Sequence, residues 1–136
     1  MSYKAIQLAL DSRLNALPGG LPVAWENVKY TPVLGRPWLR PTLINADSQL
    51  ICLADGNQNN PGIYRVDAFY PVGNGVGQIL DKLDQIYTLF KEQQILISGD
   101  TKVSIRNISV LQRIVEETSW LMGSVNINFV SYDNLI

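Results

Sequence analysis

The stretch GIYRVDAFYPVGNGVGQILDKLDQIYTLF, residues 62–90, holds a strand pattern, a glycine-rich turn and a helix pattern in one run. Its first residues alternate: Tyr64, Val66, Ala68 and Tyr70 share one face, and Arg65 and Asp67 lie on the other, the mark of a strand with one open side. After Gly73, Gly75 and Gly77 the period changes. Ile79, Leu80, Leu83, Ile86, Tyr87 and Phe90 trace one helical stripe, with Asp81, Lys82, Asp84 and Gln85 on the wet side.

Strand, glycines, helix is also how many phosphate-binding sites begin, so the turn decides between an enzyme and a structural part. A dinucleotide fingerprint requires Gly-x-Gly-x-x-Gly, and position 78 is Gln where the third glycine belongs. A Walker-type loop requires Lys and Ser or Thr after the last glycine, and GQIL supplies neither. Nucleotide loops also sit on strands buried on both faces. The turn is therefore read as geometry, its glycines supplying positive φ for a sharp reversal. The competing reading is a free helix N-terminus holding a nucleotide or another anion.

Working outward, Tyr3, Ile6, Leu10, Leu14 and Leu17 recur at spacings of three and four, predicting a first helix that Ser2 caps and Pro18-Gly19-Gly20 stops. Residues 21–37 are proline-rich and predict an extended connection with at most a short strand at Val23–Trp25. WLRPTLINA, residues 38–46, alternates, and Pro41 places that strand at a sheet edge or a bulge because it donates no ladder bond. QLICLA predicts a further short strand. DGNQNNPG, residues 55–62, reads as a surface loop. QILI and KVSI around SGDT read as a hairpin turning at Gly99-Asp100. The apolar phase slips at Arg106-Asn107, which predicts a bulge. Glu116 and Glu117 read as a turn. Residues 119–132 form a last strand, with Leu121, Val125, Ile127 and Phe129 on one face and Asn126 and Asn128 on the other.

The order predicts an α+β fold: a mostly antiparallel sheet with two amphipathic helices packed on one face. The 136 residues suffice for one domain, 1–136, burying roughly 68% of the unfolded surface. No apolar run approaches the roughly 20 residues of a spanning helix, and the N-terminus reads as part of the fold of a protein made in the cytoplasm.

Composition narrows the function. Eleven Lys and Arg against twelve Asp and Glu give a net charge of −1 with no basic block, so phosphate-dominated nucleic-acid binding is not expected. The absence of histidine removes the commonest general base and metal ligand. A single cysteine, Cys52, leaves no zinc cluster or disulfide framework within one chain. Asp67, Asp81 and Asp84 could be drawn as a metal site, but carboxylates three apart on a helix are ordinarily a solvated face. No catalytic, cofactor-binding or metal-ligating residue is expected. Trp25, Tyr30 and Trp38 surround TPVLGRP; such a cluster seals a loop onto the core or anchors a subunit contact, with a ligand cradle as the competing reading.

Two segments, PVAWENVKYTPVLGRPWLRPTLINA and the stretch quoted first, resemble the tail terminator (tail completion) proteins of tailed bacteriophages and prophages. The resemblance rests on Trp25-Glu26-Asn27, Thr31-Pro32, Trp38-Leu39-Arg40, Gly62-Ile63-Tyr64, Val66-Asp67, Pro71, Gly73, Gly75 and Phe90. It covers about residues 3–90; beyond, the hairpin and last strand agree in order. Pro41 and the polar DGNQNN depart from the pattern. The resemblance implies a virion protein without chemistry: a ring, a homohexamer, that caps the head-proximal end of the tail tube, stops its growth and offers a surface to the head-tail connector. DNA would pass through the lumen without specific binding, and no cofactor or membrane is involved. The interface expected on this basis comprises Trp25, Tyr30, Arg36, Trp38, Arg40, Arg65 and Asp67. Another neck or connector ring subunit is the nearest alternative, and a nucleotide- or anion-binding protein using residues 73–77 the more distant one.

Overall fold

The computed structural model describes residues 3–17, 21–33, 35–45, 49–50, 58–73, 75–99, 101–117 and 120–133. Ser2, the 18–20 stop, Cys52 and Asp55–Asn57 lie outside them. The elements run α1 (Tyr3–Asn15), β1 (Trp38–Asn45), β2 (Gln49–Leu50), β3 (Gln58–Pro71), α2 (Gly77–Glu92), β4 (Ile95–Ser98), β5 (Thr101–Glu117) and β6 (Trp120–Asp133). The sheet order is β1-β3-β6-β5-β4, with β2 as a side pairing on β3. Every strand pairing is antiparallel. The predicted class holds: α+β, with both helices on one face of an antiparallel sheet.

Alternation builds that face. Ile6, Leu10 and Leu14 of α1 and Ile79, Leu83, Ile86 and Phe90 of α2 pack with Leu39, Tyr64, Val66, Ala68, Val103, Val125, Ile127 and Phe129 into one core. The helices are tied together by Arg13, whose Nε and Nη2 donate to the Leu89 carbonyl at 3.0 and 2.6 Å. That carbonyl belongs to the last turn of α2. Gly62 sits where a side chain has no room: an added Cβ would lie 2.6 Å from Phe129 Cζ and 2.9 Å from the Ile44 carbonyl oxygen.

Pro41 is at the sheet edge, as expected. Residues 39, 41 and 43 turn their backbone groups outward: Leu39 N–H donates to Pro22 at 2.9 Å, Ala24 N–H donates to Leu39 at 2.7 Å, and Leu43 N–H donates to the Glu26 carboxylate. The missing proline donor thus falls on the side away from β3 and breaks no ladder bond. The extended connection supplies a single parallel bridge, Val23 to Leu39. The phase slip is a bulge, since Ile105 pairs with Phe129 and Asn107 with Asn128. Ser98 pairs with Thr101, so the first hairpin turns where predicted.

Three local expectations fail. Gln58–Gly62 belong to β3 rather than to a loop, because Gln58 and Asn59 pair with β2 and Asn60–Gly62 with β6; ladder bonds outweigh their turn propensity. Glu116 and Glu117 are not a turn but the end of β5, opposite Leu121 and Trp120. Lys82 is not on the wet side: it is buried, with Nζ donating to Gln85 at 2.8 Å. Desolvation pushes its ammonium below the ordinary lysine range.

Candidate functional site

The glycine turn is bent as the geometric reading expects. Gly73 and Gly75 hold φ of +97° and +75°, a region costly for other residues, whereas Gly77 opens α2 without a positive φ. Val76 caps α2 without a side-chain hydrogen bond, and this first turn carries no acidic residue.

The constellation with the most directed polar contacts lies on the sheet face away from the helices. Strand parity puts Trp38, Arg40, Thr42 and Ile44 of β1 beside Phe69, Asp67, Arg65 and Ile63 of β3, and these beside Met122, Ser124, Asn126 and Asn128 of β6. Asp67 is the hub. Its Oδ2 accepts from Arg40 Nε and Nη2 at 3.3 and 3.0 Å. Its Oδ1 accepts from Arg65 Nε at 3.0 Å and from the Ser124 hydroxyl at 2.5 Å. Arg65 Nη2 also donates to Ser124 Oγ at 3.3 Å. The Asp67 side chain is 5% exposed, while Arg40 and Arg65 are 47% and 38% exposed. A sealed carboxylate therefore presents two guanidinium groups at the surface. Ser124 is buried and spends its proton on Asp67, so its hydroxyl is not presented to a substrate.

An aromatic cluster adjoins this hub. Trp38 stacks on Phe69 with centroids 4.1 Å apart, meets Trp120 edge-on at 6.2 Å and Tyr30 at 5.4 Å. The Arg40 guanidinium sits 4.9 Å from the Phe69 centroid, within cation–π range. Asp67 and Phe69 are both buried, so this face of β3 is more covered than its alternation implied. Trp38 Nε1 and Asn126 Oδ1 are buried polar atoms without a hydrogen-bond partner among the described residues.

Of the seven residues expected at an interface, Trp38, Arg40, Arg65 and Asp67 come together, with Tyr30 against Trp38. Trp25 is partly buried against the core. Trp25, Tyr30, Trp38 and Arg40 line an open hollow of about 290 Å³. Arg36 is exposed beside a turn closed by its own N–H on Val33, and no side-chain partner of it is found among the described residues. Sequence reading missed Phe69, Ser124 and Trp120, which join only through cross-strand register; Glu26, quoted there only as part of a motif, closes the β1 edge with its carboxylate.

Titratable groups on the helix side are structural. The Tyr64 hydroxyl donates to Asp11, joining β3 to α1. Burial, then the Asp11 charge, pushes the phenol far up; burial also raises the Asp11 carboxyl above its ordinary 3.8, against the lowering effect of the Tyr64 bond. Among the described residues no group of three His, Cys, Asp or Glu could hold a metal, and no helix is long and apolar enough to cross a membrane.

Comparison with known proteins places this architecture. No curated protein sequence matches the chain. Solved structures do match; one of them superposes on it with a TM-score of 0.74 and 26% identity, covering 100% of this chain and 98% of that one. The family model described as phage tail terminator protein matches residues 5–129, through α1, the sheet and α2 and well into β6. The chain belongs to the phage tail terminator protein family, structural proteins of the phage tail and components of the virion.

Proposed function

We propose that this chain assembles into a ring, a homohexamer, that caps the head-proximal end of the tail tube, ends tube polymerisation and offers a joining surface to the head-tail connector. The family match over residues 5–129 carries the reading. The open sheet face supports it: Trp38, Tyr30, Arg40 and Arg65 are the residue types that dominate protein interfaces. On this reading Trp25, Tyr30, Arg36, Trp38, Arg40, Arg65 and Asp67 contribute to contacts with neighbouring subunits, the tube protein or the connector. A closed ring uses heterologous contacts, one patch meeting a different patch on the next copy. The net charge of −1 suits a lumen through which DNA slides without being gripped. The subunit acts by shape, without a cofactor, first in the host cytoplasm and then in the virion.

Light scattering coupled to gel filtration, repeated with purified tail tubes, tests the proposal. A ring, or an association that tubes promote, with the protein at one tube end, is expected. A chain that stays monomeric and ignores tubes at high concentration refutes it.

A further inference from the structure

Resting on the ring reading, we infer that the subunit contact is formed by the Arg40–Asp67–Arg65 cluster of one copy and the acidic outer row of α2 of the next. Two guanidinium groups share one buried carboxylate, so the cluster keeps an unbalanced positive charge on the open face. Each guanidinium has five N–H donors and spends two on the described partners, leaving three on a side chain that is 47% (Arg40) or 38% (Arg65) exposed. Because the anchoring carboxylate is sealed beneath them, the arginines are pre-positioned, and less side-chain freedom is lost when a carboxylate docks.

The complementary surface is on the same chain. Asp81, Asp84, Thr88 and Glu92 follow one another at helical spacing along α2 and are exposed. Neither Asp81, Asp84 nor Glu92 has an ion-pair partner among the described residues, and the neighbouring Lys91 lies 5.3 Å from the Tyr87 ring centroid. The two patches cannot meet within one molecule, since α2 packs on the Tyr64–Val66–Ala68 face and the arginines stand on the other. Opposite signs on opposite sides of one subunit are what a head-to-tail contact requires. Ile44, about half exposed on the arginine face, supplies apolar area beside the charges, as an interface core does.

The test uses the whole chain. Asp81→Lys/Asp84→Lys, at exposed positions, is expected to weaken self-association roughly 10- to 100-fold, and Arg65→Glu to do the same. Mixing the two variants in equal amounts recovers assembly, because each reversed patch then meets a reversed partner. Arg65→Glu touches a buried carboxylate, so cross-linking gives a second measurement free of that burden. In a Cys52→Ser background, Asp84→Cys and Thr42→Cys proteins are mixed and oxidised. Thr42 pairs with Arg65 across the strands, so a disulfide-linked dimer containing one of each is expected. If the wild-type chain associates while the α2 variant associates equally well and no mixed disulfide forms, this contact is wrong and the ring stands. If the wild-type chain neither associates nor binds tubes, the ring reading itself falls, and this contact with it.

Discussion

Replacing Asp67 by Asn keeps the side-chain volume and removes the charge on which four hydrogen bonds converge. Hydrogen bonds to a charged group are each worth about 1.5–3 kcal/mol, but that sum is not the cost here. Arg40 and Arg65 are 47% and 38% exposed, so both turn to water when the carboxylate is gone, and their pairing is discounted for solvent screening. What cannot be recovered is the buried contact with Ser124 and the desolvated share of the arginine bonds. Asn retains one acceptor oxygen, which offsets part of even that. A loss of about 1–3 kcal/mol follows, or about 3–4 °C in Tm per kcal/mol for a chain of this size. Urea unfolding at fixed, low protomer concentration measures it as a lower midpoint with an unchanged slope. Arg40→Gln, which leaves Arg65 and Ser124 on the carboxylate, should cost under about 1 kcal/mol. Asp67→Asn within about 0.5 kcal/mol of wild type would refute the role of the carboxylate as organiser of this face.

Phe90→Ala, at a fully buried ring between α2 and the sheet, should lower stability by about 3–5 kcal/mol in the same assay; a loss under about 1 kcal/mol would mean that α2 does not pack there. Gly62→Ala should cost about 1–3 kcal/mol through overpacking, since one of the atoms it meets is the Ile44 carbonyl oxygen of the adjacent strand; a neutral substitution would contradict that close approach. The Asp11 carboxyl is raised above 3.8 in the fold, so from about pH 4 upward the folded state holds more protons than the unfolded one, and stability falls as pH rises through the raised value. Asp11→Asn keeps an oxygen for the Tyr64 hydroxyl and should flatten that slope; urea midpoints between about pH 4 and 7 decide it, and an unaltered slope would assign it to another group.

Periodicity made the helices and the two helix-facing strand stripes legible, because one buried face forces a period of 3.6 or 2 on the sequence. The bulge after Ile105 was equally readable as a phase slip. Pro41 marked an edge because a proline in a central strand would break the ladder. Long-range effects were hidden. Asn59 and Asn60 look like a turn until β2 and β6 are beside them, and Lys82 looks solvated although the fold buries it. At the candidate interface, Trp38, Arg40, Arg65 and Asp67 were readable through motif and alternation. Ser124 was not, because only the pairing of Asp67 with Ser124 brings its hydroxyl to the carboxylate, and register is not written locally. Trp25 packs against the core, as the reading of a loop sealed onto the core expects.

The central claim is that this chain limits the tail by assembling on it. Deleting its gene and imaging the lysate by electron microscopy tests this most directly, through the distribution of tube lengths and the fraction of tubes joined to capsids. Overgrown tubes without attached heads are predicted, with normal length and joining restored by the wild-type gene. Tails of normal length on full capsids in the deletion strain would contradict the account.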